Sequence, residues 1–246
     1  MDLGSPERQL LAEMPLHAIT SVHGEAGLRE RLEIEIAGFP RAGRERARQA
    51  LGLASRLHAT DRRQREPYVS HLLRVAIRII SHYRVYDPDV ACAALLHDAV
   101  EDHASDLALG GGGHREALAV LAGRFGDRAA DLVAAVTNPA YQVGRDEHAQ
   151  YREHVAASLA ANPWARVIKA SDFTDNAVGL IYTTGPKLHR LAGKYAPLVP
   201  VLRELILRPD TPLDDDVKER IAGQLDGAAA RFAALWHGPD PEAADT

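Results

Sequence analysis

The sequence predicts an all-α fold, and three observations lead to that prediction. Apolar residues recur at helical spacing through most of the chain, whereas no segment alternates with the period of two that a β-strand requires. Aromatic residues make up only 5% of the composition against a hydrophobic fraction of 46%, so the core must be built mainly from Ala, Leu, Val and Ile. Closely packed helices suit such side chains better than a β-sandwich does.

The two ends of the chain differ from its centre. Residues 1–43 are interrupted by several glycines and a proline, and we interpret them as an N-terminal extension with one short helix over 28–36. The main domain is predicted over 44–238, and a frayed polar tail over 239–246. Four consecutive glycines at 110–113 predict a loop, because glycine is unfavourable inside a helix.

Helical periodicity predicts the remaining elements in chain order. Pro67, Asp87-Pro88 and Asn162-Pro163 are typical helix starts, since proline is tolerated in the first turn and Asp or Asn caps it. The predicted helices cover 44–58, 68–84, 88–102, 115–125, 127–136, a segment starting near 147, 164–182, helices within 187–207, and 214–236.

Charge and cysteine content exclude several classes of function. The net charge of −5 gives no general attraction for nucleic acid polymers or anionic membranes, so any phosphate binding requires a local basic cluster. A single cysteine, Cys92, excludes an intrachain disulfide and favours a reducing compartment. The sequence contains no recognisable signal peptide and no apolar run long enough to cross a bilayer. We therefore expect a cytoplasmic protein.

The most informative segment is 95–102, which reads LLHDAVED. On one continuous helix His97 would lie above Glu101 and Asp98 above Asp102, because residues four apart share a face. Three carboxylates this close repel one another, and a divalent cation would offset their charge while the imidazole serves as a neutral ligand. The alternative interpretation is a solvated helix end with no cation.

Two further residues of the right chemistry lie elsewhere in the chain. His71 falls in the first turn of a predicted helix, and Asp172 lies in the largely apolar segment 167–173, where an uncompensated carboxylate would be costly. The ordered pattern His71, His97-Asp98, Asp172 resembles the H…HD…D signature of the HD phosphohydrolase superfamily.

Local strings resemble more specifically the hydrolase domain of the RelA/SpoT alarmone enzymes and their stand-alone small relatives. Residues 58–71 read HATDRRQREPYVSH, similar to the family's H-x-G-Q-x-R-K-x-G-E-P-Y-x-x-H-P, and 93–103 read AALLHDAVEDH, similar to A-A-L-L-H-D-x-V-E-D-T. The strings FGDRAADLVAAVT at 125–137 and VIKASDFTDN at 167–176 also have counterparts in the family. The resemblance covers about residues 44–208.

The resemblance implies a metal site and a water-handling pair. It implies that His71, His97, Asp98 and Asp172 bind a divalent metal; the family favours Mn²⁺, while the ligand chemistry alone also suits Fe or Zn. It further implies that Glu101 and Asp102 position and deprotonate the attacking water. The alternative is that these two carboxylates only tune the charge of the site.

Substrate contacts are implied for several polar residues. The basic loop 62–65 would bind a multiply phosphorylated nucleotide through Arg62 or Arg63, with Arg63 in the leading role, because guanidinium stacks on bases and forks onto oxyanions. Asn176 would donate to ribose or phosphate, and Lys169 is a further candidate. A solvated charged loop and an ordinary exposed asparagine are the alternatives.

The implied activity is removal of the 3′-pyrophosphate from (p)ppGpp, a nucleotide of the stringent response, by a stand-alone hydrolase. The family's proline and arginine are replaced here by Leu72 and Phe173, and the loop before His71 is one residue shorter. These departures concern the substrate pocket. Two alternatives therefore stay open: an HD-type hydrolase of another nucleotide or phosphorylated metabolite, and a catalytically silent ligand-binding module. The sequence does not reveal the oligomeric state.

Overall fold

A computed structural model describes residues 5–63, 66–108, 111–139, 141–179 and 186–236. Within these ranges the secondary structure is helical, apart from an isolated bridge between Arg62 and Pro67, so the all-α prediction is confirmed. The helices are α1 (Pro6–Glu13), α2 (Leu16–Ile36), α3 (Arg41–Leu57), α4 (Tyr68–Ser81), α5 (Pro88–Leu96), α6 (Ala99–Leu107), α7 (His114–Phe125), α8 (Asp127–Val136), α9 (Glu147–Ala161), α10 (Pro163–Gly179), α11 (Pro186–Tyr195), α12 (Val199–Ile206) and α13 (Asp215–Trp236), with a 3₁₀ turn (Ala196–Leu198) before α12.

Helix α5 lies at the centre of the core. Every residue from Val90 to Leu96 is buried, as expected for a helix that is apolar on all sides. It packs against α3, α4 and α8, and α4 in turn packs against α2 and α10. The side chain of Asp87 accepts hydrogen bonds from the backbone N–H groups of Asp89 and Val90, which confirms the predicted cap.

The N-terminal region is more ordered than the sequence predicted. Instead of one short helix over 28–36, α1 and α2 occupy most of it, and α2 packs along α4. Two glycines that were predicted to interrupt this region lie inside α2. Gly24 has φ of +59° and only kinks the helix, whereas Gly27 provides space, because a Cβ there would lie 2.4 Å from that of His23. The boundary between extension and domain at residue 43 stays a prediction.

The continuous helix predicted over 88–102 is wrong. Helix α5 ends at Leu96 and α6 begins at Ala99, so His97 and Asp98 form the junction between two helices. Nδ1 of the His97 imidazole lies 2.9 Å from the carbonyl oxygen of Ala94. The side chain thus forms a hydrogen bond with the backbone of the last turn of α5. Because no glycine or proline marks this break, the sequence pattern could not reveal it.

The other helices confirm their predictions to within a few residues, and α8 coincides with its predicted range. The last residues of the helix predicted over 164–182, the first of the four glycines and the tail from residue 237 lie outside the described residues. Among the described helices, none combines the length and apolar character needed to span a bilayer.

Candidate metal centre

Three parts of the fold bring the predicted ligands together. His71 lies in the first turn of α4, His97 and Asp98 form the α5–α6 junction, and Asp172 lies within α10. The Nε2 atom of His71 is 3.3 Å from Asp172 Oδ1 and 3.7 Å from Asp98 Oδ2. The Nε2 atom of His97 is 3.0 Å from Asp98 Oδ2 and 3.7 Å from Asp172 Oδ1. Two imidazoles and two carboxylates therefore surround one point.

The tautomer of His71 is fixed by a buried carboxylate. Its Nδ1 atom lies 2.8 Å from Oδ2 of Asp175, and since a carboxylate only accepts, Nδ1 must donate the hydrogen. The lone pair of Nε2 is therefore directed toward Asp98 and Asp172. A carboxylate behind a histidine in this way orients the ring and makes its free nitrogen a stronger ligand.

The tautomer of His97 is fixed by the backbone. Its Nδ1 atom donates to the carbonyl oxygen of Ala94 at 2.9 Å, so Nε2 is the ring nitrogen that faces the carboxylates and binds a cation once its proton is displaced. This Nε2 atom is buried and has no hydrogen-bond partner within the described part of the chain. A buried polar atom without a hydrogen-bond partner is costly, and a cation bound jointly by Nε2 and Asp98 would remove that cost.

The carboxylates make the site strongly attractive to positive charge. Burial disfavours the imidazolium form of His97, but the charges of Asp98 and Asp172 outweigh that effect and raise its pKa to about 10. Burial would also raise the pKa of Asp172, yet Lys169 and the two imidazoles hold it well below its ordinary value. Burial would raise the pKa of Asp98 as well, but His97 lowers it, so both carboxylates are ionised at neutral pH.

The donor set fits a divalent metal. His71, His97 and Asp98 offer ligand atoms that all lie within 4.8 Å of one another, and Asp172 Oδ1 adds a fourth donor close to both imidazoles. Two neutral nitrogens with two anionic oxygens suit Mn²⁺, Fe²⁺ or Zn²⁺. The centre can hold a divalent cation, and its chemistry alone does not select one metal.

Hydrogen bonds hold the carboxylates in place. Tyr68 donates its hydroxyl to Asp98 Oδ2 at 2.8 Å, while Lys169 Nζ lies 2.9 Å from Asp172 Oδ2. The side-chain amide of Asn176 donates to Asp172 Oδ1 at 2.7 Å. Lys169 and Asn176, both expected to contact substrate, therefore already support the metal centre.

Asp175 was missed by the sequence analysis. It is 4% exposed and lies on α10, three residues after Asp172. Besides His71 it binds three guanidinium groups, those of Arg63, Arg74 and Arg78. Arg78 also donates to the backbone oxygen of Ser171, so this network ties α4 to α10 directly behind the centre. The spacing DxxD on one helix was the available signal.

The two carboxylates that follow the junction differ in their surroundings. Glu101 accepts hydrogen bonds from the backbone and side-chain amides of Asn138 at 2.9–3.1 Å, which fixes its orientation. Burial, together with the charges of Asp98 and Glu101, raises the pKa of Asp102 to about 6. Asp102 is therefore suited to take up a proton near neutral pH.

A cavity of about 1310 Å³ lies beside the centre. Its lining includes Arg62, Arg63, Asn176 and Tyr195, together with residues of α1 and α2. Arg63 donates to the side-chain oxygen of Asn176 and packs over the Tyr68 ring, whereas Arg62 is exposed. The last two residues of the predicted basic loop 62–65 lie outside the described residues.

A second lysine beside the centre was not predicted. Nζ of Lys194 lies 4.6 Å from the ring centroid of Tyr151 and 5.6 Å from that of Tyr195. Burial and the neighbouring Lys169 lower the pKa of Lys194. The repulsion between the two ammonium groups makes this part of the site suited to binding an anion. The string KYAPL at 194–198 also has counterparts in the alarmone hydrolases, but no role for Lys194 was predicted from it, because its position beside Lys169 depends on how α11 packs.

A comparison with family models identifies the central part of this arrangement. Residues 50–161 match a family model described as HD domain. This part of the chain is therefore similar to an HD domain. The match includes His71, His97 and Asp98, and Asp172 lies just beyond it.

Two known proteins are similar to this chain. A guanosine-3′,5′-bis(diphosphate) 3′-pyrophosphohydrolase from Aquifex aeolicus (strain VF5) is 31% identical over 180 residues, which are 71% of this chain and 24% of that protein. The chain thus matches about a quarter of the length of this curated relative. A solved structure, described as a metazoan orthologue of SpoT that hydrolyses ppGpp, is 23% identical with a TM-score of 0.59. The match covers 78% of this chain and 97% of that one, and at this identity it shows the fold.

Proposed function

We propose that this chain is a metal-dependent phosphohydrolase that removes the 3′-pyrophosphate from (p)ppGpp. The observation that carries the hydrolase assignment is the convergence of His71, His97, Asp98 and Asp172, with both imidazoles fixed in the tautomer that presents Nε2. The activity in the name of the Aquifex relative, 31% identical, supports the choice of (p)ppGpp as substrate.

The metal ligands would be these four side chains, with Mn²⁺ as the proposed ion. When bound, a divalent cation supplies Lewis acidity toward a phosphate oxygen and lowers the pKa of a bound water. Asp175 and the carbonyl oxygen of Ala94 hold the two imidazoles in position, and Tyr68 holds Asp98. The protein thereby fixes the donors before substrate arrives.

Asp102 and Glu101 are proposed to manage the attacking water. Asp102, with its pKa raised to about 6, accepts the proton that the water loses. Glu101 orients the water, because its carboxylate is held by Asn138. This division refines the expectation that the pair shares both tasks.

Cationic side chains are proposed to bind the phosphates. Arg63 lies at the boundary between the cavity and the metal centre, where a guanidinium can pair with phosphate and stack on a base. Lys194 and Lys169 both lie over the Tyr151 ring, and Lys169 pairs with Asp172. Arg62 is exposed at the cavity rim and is expected to contribute less.

A nucleotide panel with product identification tests the activity. Metal-free protein is reloaded with Mn²⁺ and incubated with ppGpp, pppGpp, GTP, GDP and dinucleotide phosphates, and the products are separated by ion-exchange chromatography. We expect pyrophosphate and GDP from ppGpp. Turnover of another nucleotide with intact ppGpp would refute the substrate, and no turnover of any would refute the hydrolase.

Two variants test the residue roles. Glu101→Gln and Asp102→Asn are expected to retain one bound metal at the centre while kcat falls by about 10²–10⁴ for loss of acid–base function. Glu219→Gln, an exposed carboxylate on α13, is the matched control. Full activity of Asp102→Asn would show that another group takes the proton.

Phe173 favours the alternative that the substrate is a nucleotide other than (p)ppGpp. Its ring is buried and packs edge-on against Tyr195, which lines the cavity. In the alarmone hydrolases that the sequence resembles, an arginine usually stands at this position, so a cationic side chain is replaced here by an apolar one. The same panel decides between these substrates.

A further inference from the structure

A second cluster of potential ligands lies beside the metal centre. It consists of His58, which follows α3, Asp61 in the next loop, and His103 in α6. Oδ2 of Asp61 is 2.8 Å from His58 Nδ1 and 2.7 Å from His103 Nε2. Each residue offers a donor atom within 4.8 Å of the other two. None of the three contributes to the four-residue centre described above.

The local backbone brings these side chains together. Helix α6 departs from helical geometry at His103, where φ is −134° and ψ is 31°. The loop that carries Asp61 is closed by two backbone hydrogen bonds, from Asp61 to His58 and from Tyr68 to Asp61. The cluster therefore joins the end of α3 to the bend of α6.

His58 and Asp61 are in protonation states that suit metal binding, whereas its two carboxylate partners raise the pKa of His103 against the effect of burial, so a cation must displace the proton of that ring. Burial lowers the pKa of His58, which is 1% exposed, so its ring is neutral at physiological pH. The hydrogen bond from His103, assisted by that from His58, lowers the pKa of Asp61, so this carboxylate is ionised. Neutral imidazole and ionised carboxylate are the forms that bind cations.

His103 also has the orienting partner that metal-binding histidines use. Its Nδ1 atom lies 3.2 Å from Oδ2 of Asp106, while Nε2 is directed toward Asp61. This is a carboxylate–imidazole–ligand arrangement, in which the carboxylate accepts a hydrogen bond from one ring nitrogen and leaves the other for the metal. His71 and Asp175 repeat the same arrangement in the first centre.

We propose that His58, Asp61 and His103 bind a second divalent cation of the borderline class represented by Zn²⁺. Two nitrogens, one carboxylate oxygen and a water complete the four donors that Zn²⁺ prefers. Ligand bonds of about 2.0–2.2 Å require the donors to move apart by roughly half an ångström from their present hydrogen-bond separations. Asp61 and His103 are partly exposed, which leaves room for the water.

One residue connects the two sites. The Tyr68 ring stacks on His58 with centroids 4.7 Å apart, and its hydroxyl donates to Asp98. A cation at the second site would fix His58 and thereby restrict the ring that positions a ligand of the first. The second cation is thus expected to support the first centre without touching its ligands.

Metal stoichiometry tests the proposal. The metal-free chain is titrated with Zn²⁺ in competition with a chromophoric chelator, and we expect two bound ions per chain. His103→Ala should lose one ion, His97→Ala should lose the other, and the double variant should bind none. His148→Ala, which removes an exposed imidazole on α9, should bind two.

The outcomes separate this site from the first. One ion in the wild type, unchanged in His103→Ala and lost in His97→Ala, would overturn the second site and leave the hydrolase centre intact. One ion that is lost in His103→Ala and kept in His97→Ala would support the second site and contradict the first. Circular dichroism of each variant establishes that it is folded.

A second variant tests the site without removing a ligand. Asp106→Asn changes an exposed side chain that only orients His103, so folding should be unaffected. The Kd of the second ion should rise about tenfold, the lower end of the effect of outer-shell partners. An unchanged Kd for both ions in Asp106→Asn and in Asp61→Asn would mean that the cluster is a hydrogen-bonded network only, and would refute the proposal.

Discussion

The Asp175→Asn substitution should weaken both the metal centre and the fold. Asp175 is buried, accepts the Nδ1–H of His71 at 2.8 Å and pairs with Arg74 and Arg78 at 2.8 and 3.1 Å. Loss of an outer-shell carboxylate weakens metal binding by about 10–100-fold, which is roughly 1.4–2.7 kcal/mol. Removing one member of a buried ionic network lowers the free energy of unfolding by about 3–5 kcal/mol more, because its charged partners are left uncompensated.

These two effects can be measured separately. Urea unfolding of metal-free protein gives the loss of stability alone, and competition with a chelator gives the metal affinity. Asp131→Asn, an exposed carboxylate on α8, is the matched control and should change neither quantity. If Asp175→Asn unfolds at the same urea concentration as the wild type and keeps its metal affinity, then the buried network does not support the centre and our reasoning fails.

Three further predictions concern individual contacts. Tyr68→Phe removes the hydrogen bond to Asp98 and should lower metal affinity about tenfold, as measured by chelator competition. Burial would raise the pKa of Asp175, but His71 and Arg74 hold it well below its ordinary value. The ionised Asp175 carboxylate therefore stabilises the fold above about pH 4, which is its pKa in the unfolded chain, and this stabilisation is lost as the pH falls further. Gly43→Ala should destabilise the fold by about 1–3 kcal/mol, because a Cβ there would lie 2.6 Å from the proline ring that opens α5.

The glycine and pH predictions each have a control. At Gly52, on the same helix, a Cβ would have no neighbour closer than 3.7 Å, so Gly52→Ala should stabilise by about 0.5–1 kcal/mol in thermal unfolding. Equal effects of Gly43→Ala and Gly52→Ala would contradict the packing explanation. For the pH dependence, metal-free wild type and Asp175→Asn should converge in stability as the pH falls below about 4. If the two curves of stability against pH stay parallel, then Asp175 is not the group responsible for the pH dependence.

Much of the fold could be predicted because helical periodicity and capping residues are local signals. Asp87-Pro88 identified the start of α5, and the pattern in 127–136 gave α8 to the residue. The break at His97 and Asp98 depends instead on a side chain that bonds the backbone three residues earlier. Residue type alone does not show that a histidine will make this contact.

The candidate site divides in the same way. Its four proposed ligands were predicted because the order of His and Asp residues in the chain resembles a known pattern. Asp175 and Asn138 have no such pattern, and the string that begins at Lys194 implied no role for it; their positions follow from how α10, α11 and the segment after α8 approach the centre. Their importance depends on distances that only the folded chain defines.

The origin of the ligands on separate helices has a consequence for how the protein folds. His71, the junction at His97 and Asp172 are distant in sequence, so an unfolded chain has no pre-formed site and binds the ion only weakly. Free cation then favours the folded chain by RT ln(1 + [M]/Kd), about 2.7 kcal/mol at a hundredfold excess over Kd. Metal supply would therefore set how much of this protein persists in the folded form, as well as whether its centre is loaded.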